Sequence, residues 1–64
     1  MKTPLDRKYN EREAAEILGL KVRTLQRMRM ERRGPPFLKY DRKSVRYLET
    51  DLVAYIEAAR RPAA

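Results

Sequence analysis

Apolar and polar positions along this chain alternate in four groups, each with its own period. Ala14, Ile17 and Leu18 recur at helical spacing behind Asn10, a good N-cap. Glu13 stands three residues after Asn10, as a capping box requires, and Tyr9 and Ala14 occupy the positions of a hydrophobic staple. A first helix is therefore expected over residues 11–18, stopped by Gly19, which tolerates the left-handed conformation. Val22, Leu25 and Met28 form the inward stripe of a second helix over residues 22–32, with Arg23, Gln26, Arg27 and Arg29 pointing mostly away from it. Gly34-Pro35-Pro36 ends that helix, since neither proline continues it. Residues 37–40 and 45–48 are rich in β-formers, and residues 41–44 read as the turn of a hairpin. Thr50 is the expected N-cap of a last helix over residues 51–60, with Asp51 at its positive end. Leu52, Tyr55, Ile56 and Ala59 make its core face, Arg60 and Arg61 suit its negative end, and Pro62 closes it.

The order is helix, tight turn, helix, hairpin, helix, which is mainly α with one small β-hairpin. Sixty-four residues hold one domain, expected over residues 9–61. Residues 1–8, interrupted by Pro4, read as a flexible arm, and residues 62–64 as a frayed end. A chain this short buries only roughly 60% of the surface it exposes when unfolded, so its core is thin. There is no cysteine and no histidine, so disulfides and the usual zinc ligand sets are absent, and no metal or cofactor is expected.

Charge sharpens this picture by its placement. The formal net charge is +7, which favours a polyanionic partner: nucleic acid, an anionic membrane or an acidic protein. Residues 1–20 are neutral, residues 21–33 carry +5, residues 34–47 carry +3 and residues 48–64 carry −1. The excess thus lies in the second helix and the hairpin, whereas a solvated surface would scatter it. A major-groove reader needs basic and amide side chains projecting from an apolar stripe, because Arg pairs with guanine and Gln with adenine. The plainer reading is a helical hairpin with a solvated basic face. Arg42 and Lys43 at the hairpin tip would likewise be a wing reaching phosphate or an adjacent minor groove, or an ordinary charged turn. The five aromatics are better read as core than as a stacking platform for single strands.

Other classes fare poorly. Catalysis lacks a His or Cys and a phosphate-cradling glycine loop, and Glu13 and Glu16 read as solubilising charges, so no catalytic residue is assigned. The stripe Val22-Leu25-Met28 is narrow and lacks large anchors, which argues against a membrane surface. The longest apolar run, residues 52–56, is far below a membrane span, and residues 1–9 lack the apolar region of a signal peptide, so a cytoplasmic protein is expected.

Residues 9–60 resemble the MerR-like winged helix-turn-helix of phage excisionases and AlpA-type prophage regulators. The resemblance is carried by EAAEILGLKVRTLQRM, GPPFLKYDRKSVRY and TDLVAYIEA, in that order and at the family's spacing. Lys21 stands where a Ser or Thr cap is common, Gln26 where an aromatic is common, and Asp41 where the wing often has Gly. The resemblance implies that Arg23, Gln26 and Arg27 face the major groove and that Val22 touches a thymine methyl. It implies phosphate contacts from Lys21 and Thr24, and a wing contacting DNA through Arg42, Lys43, Ser44 and Arg46. The function implied is an excisionase, a recombination directionality factor of a temperate phage or integrated element in a bacterial host. Several self-associating copies would bend double-stranded DNA near an attachment site and assist a tyrosine or serine integrase. A transcriptional regulator of the same fold is the alternative, and a basic module docking an acidic protein is the alternative from another class.

Overall fold

A computed structural model of the chain describes residues 5–61. Its order is β1 (Lys8–Asn10), α1 (Glu11–Leu18), α2 (Val22–Met30), β2 (Leu38–Lys39), β3 (Val45–Leu48) and α3 (Glu49–Ala59). The three helices and small antiparallel sheet form a winged helix-turn-helix, in which the β2–β3 hairpin is the wing. The expected frayed end, residues 62–64, and residues 1–4 of the expected arm lie outside the described residues.

The first helix has the expected bounds, and its capping box is complete. The Asn10 carboxamide oxygen accepts from the Glu13 amide at 2.8 Å, and the Glu13 carboxylate accepts from the Asn10 amide at 2.9 Å. Gly19 ends the helix at φ 72°, and Leu20 N–H donates to Ala15 C=O at 2.8 Å, a Schellman closure. The second helix stops earlier than expected, at Met30, before the prolines act. Arg32 takes the left-handed conformation at φ 59°, and Arg33 N–H donates to Met28 C=O at 2.8 Å. The same closure is thus made here with a non-glycine residue.

Two further expectations are corrected. Lys8, expected in the arm, begins strand β1, which pairs antiparallel with β3 through Lys8–Leu48, Tyr9–Tyr47 and Asn10–Arg46. The sheet is therefore three-stranded, ordered β1-β3-β2, with the second wing strand at its centre. Thr50 does not cap α3, which starts at Glu49 directly after β3 with Leu48 in the cap position. Glu49 N–H, one of the helix-start donors without an intrahelical partner, donates to Arg7 C=O at 2.8 Å in the segment just before β1. Thr50 instead donates its hydroxyl to the Asp6 carboxylate at 2.9 Å.

Ala14, Ala15, Leu25, Val45, Tyr47 and Leu52 form the core, with Tyr9, Leu18 and Val22 packed against it. The two alanines of α1 let α2, the sheet and α3 approach one helix closely, and α1 packs against all of them. Some apolar positions expected inside lie outside: Ile17 is 44% exposed, Ile56 is 38% exposed and Ala59 is exposed. The core holds α3 through Leu52, while the half-buried Tyr55 and the exposed Ile56 and Ala59 line a groove with Leu18, Leu20 and Met28.

Candidate nucleic-acid interface

The outer face of α2 carries two adjoining strips. Arg23 and Arg27 lie one turn apart and are exposed. Val22, Gln26 and Arg29 follow at i, i+4 and i+7 and line a cleft on the side facing the wing. Lys21, exposed, occupies the N-cap of α2 and offers no side-chain acceptor to the first turn, while Thr24 is half-buried. Despite the missing cap, α2 begins at Val22, held by Leu25 N–H donating to Lys21 C=O at 3.0 Å.

The wing tip is ordered by one carboxylate. Asp41 Oδ1 accepts the backbone N–H of Lys43 at 2.8 Å and of Ser44 at 2.9 Å. The Lys43 amide foremost, then the Ser44 side chain and amide, hold the Asp41 carboxyl below its ordinary pKa. Tyr40 N–H donates to Ser44 C=O at 2.9 Å and completes the hairpin. Asp41 thus does through its side chain what a glycine turn does through backbone freedom. Arg42 and Lys43 are exposed at the tip, Ser44 is half-buried with its backbone engaged in the turn, and Arg46 is half-buried and donates to Val45 C=O at 2.8 Å.

Helix α2 and the wing form the banks of one cleft of about 560 Å³, lined among others by Arg12, Val22, Gln26, Arg42, Lys43 and Arg46. Of the residues singled out from the sequence, Val22, Gln26, Arg42, Lys43 and Arg46 meet here; Lys21, Arg23, Thr24, Arg27 and Ser44 are not among its lining residues. Arg12 of α1 was missed because its segment is neutral overall. One local signal pointed to it: a cation in the first turn of a helix opposes the helix dipole, so its place is unfavourable for the helix alone.

The helix-turn-helix domain family model matches residues 9–60, spanning both helices of the turn, the wing and α3. The chain belongs to this helix-turn-helix family. The family includes excisionase-like and AlpA-like small regulators, and membership makes this a DNA-binding domain. Searches of curated proteins and of solved structures return no match.

Within this helix-turn-helix domain one basic residue departs from the expected outward position. Arg29 is turned inward: its side chain is 19% exposed and its Nε–H donates to Glu11 Oε2 at 2.7 Å. Its guanidinium lies over the Phe37 ring at 5.7 Å, and the Tyr47 hydroxyl donates to the same Glu11 oxygen at 3.2 Å. The hydrogen bond to Glu11 holds the Arg29 pKa above its ordinary value. Burial, reinforced by the Glu11 charge, pushes the Tyr47 hydroxyl up to about 12. The aromatics divide: Tyr47 is fully buried, while Phe37 and Tyr40 are 38% and 61% exposed. Among the described residues no helix is long and apolar enough to cross a membrane, and no cluster of metal-ligating side chains occurs.

Proposed function

We propose that this domain is a sequence-specific excisionase, a recombination directionality factor that binds duplex DNA beside an attachment site and favours integrase-driven excision. The observation that carries the reading is a cleft shared by the polar face of α2 and the basic wing tip. Helix α2 enters the major groove, where Arg23 and Arg27 meet guanine edges, Gln26 meets an adenine edge and Val22 meets a thymine methyl. Lys21, Thr24 and Arg12 contact phosphates on one side of the groove. Arg42, Lys43, Ser44 and Arg46 contact the backbone, or the adjacent minor groove, on the other.

No chemistry is required of such a factor, and helix-turn-helix domains of this family are typically non-enzymatic. Its work is to bend DNA, at a cost of order 1–6 kcal/mol that contacts offset. One module of this size buries only about 600–1,000 Å² on DNA. Several copies on neighbouring sites therefore share the bend, each touching the next and the integrase.

Selection of duplexes from a random library gives the preferred site. Recombination in vitro with the integrase of the same element then tests the role. Excision that rises with added protein, while integration falls, is the expected result. Site-specific binding with no effect on either reaction would point to the transcriptional regulator of the same fold. Absence of duplex binding at any salt concentration would point to an acidic protein partner.

A further inference from the structure

Helix α2 packs chiefly against α1, and β3 packs against α1, β1, β2 and α3. The two banks of the cleft are thus positioned mainly through α1 rather than by broad packing on each other. Glu11, the first residue of α1, sits where they converge. Its Oε2 accepts from Arg29 of α2 at 2.7 Å and from the Tyr47 hydroxyl of β3 at 3.2 Å. Arg29 and Tyr47 also bracket Phe37, with Arg29 over the ring at 5.7 Å and the Tyr47 ring tilted against it at 6.3 Å between centroids. Phe37 leads directly into β2, so both wing strands join the same cluster.

We propose that Glu11 is a positioning residue that fixes the distance between reading helix and wing, through its shared hydrogen bonds to Arg29 and Tyr47. The inference rests on the DNA reading of the cleft. A largely desolvated ion pair contributes little net stability, because desolvation offsets most of the attraction, but it does demand one geometry. With side-chain exposures of 15% for Glu11 and 19% for Arg29, this pair is of that kind. Its placement is also electrostatically adverse for a DNA-binding cleft, since it adds an anion beside the phosphates. A charge kept there against its long-range effect serves a local geometric purpose.

That adverse charge gives the test opposing signs. If Glu11 acted only as a nearby anion, Glu11→Ala would tighten binding to every duplex. If it positions the wing, Glu11→Ala lowers the ratio of specific to non-specific affinity at least tenfold. Non-specific binding stays equal or tightens, because the anion is gone and Arg29 is released. Glu11→Gln keeps both acceptor contacts and restores the ratio to within about threefold. A second measurement needs no DNA. The chain has no cysteine, so nitroxide labels at Gln26→Cys and Lys43→Cys report the cleft width by electron–electron resonance. The distance distribution is expected to broaden in Glu11→Ala and to stay narrow in Glu11→Gln. Equal tightening on all duplexes, or an unchanged distribution in folded Glu11→Ala, overturns the proposal. A wild-type chain that binds no duplex defeats the DNA reading, while the distance measurement still decides whether Glu11 sets the cleft.

Discussion

Removing the two wing-tip cations together, Arg42→Ala with Lys43→Ala, separates electrostatic contact from base reading. Both side chains are exposed at the cleft mouth and engage no partner among the described residues, so neither contributes to the fold. Each phosphate neutralised by a protein cation adds about 0.9 to the negative slope of log affinity against log salt. On the proposed reading five cations, Lys21, Arg12, Arg42, Lys43 and Arg46, face phosphate, and a wild-type slope of about −4.5 is expected. The double variant is expected to retain about −2.7. At 0.1 M salt each lost contact is a factor of about 8, so affinity falls about 60-fold, or about 2.4 kcal/mol, and the two curves converge near 1 M. Fluorescence anisotropy on a labelled duplex between 0.05 and 0.4 M salt reads both quantities. On the backbone-contact reading of the wing the preferred sequence is expected to be unchanged. An unchanged slope, or a changed sequence preference with the slope intact, would refute the division of labour between helix and wing.

Three more predictions concern the scaffold. At Gly19 a Cβ would meet nothing within 4 Å, so Gly19→Ala is opposed only by its left-handed φ and is expected to lose about 1–2 kcal/mol in urea unfolding. Arg32 already bears that strain, so Arg32→Gly is expected to gain about 0.5–1 kcal/mol, read as a melting temperature about 3–6 °C higher. The Tyr47 hydroxyl, raised from 10.0 to about 12, contributes stability that is complete below pH 10 and lost as pH rises toward 12. Tyr47→Phe is expected to flatten that alkaline decline in denaturant midpoints, while the remaining titrating groups decline as before.

The local code of this chain was legible because its signals act within a few residues. Asn10 and Glu13 close a cap three residues wide, Gly19 takes the one conformation that ends α1, and Leu25 marks the buried line of α2. The concentration of the net positive charge in residues 21–47 likewise pointed to the helix and the wing. Contacts between distant segments were not legible in the same way. Strand β1 is three residues long and exists only because β3, almost forty positions away, supplies its partners. Arg7, just before β1, supplies the acceptor for Glu49 N–H, and α3 starts directly from β3 with Leu48 in the cap position, so Thr50 lies inside the helix.

The sequence by itself therefore determined which segments are helices, which turn ends α1 and where the cationic surface lies. Those follow from backbone conformation and charge, which each residue carries wherever it is placed. Only the tertiary structure decided that Arg12 and Arg29 both line the cleft beside the wing, and that Arg12 is exposed there while Arg29, chemically its equal, is held inward by Glu11. A side chain's role depends on which groups surround it. For Arg29 those groups, Glu11, Phe37 and Tyr47, come from three other segments that meet only in the folded chain.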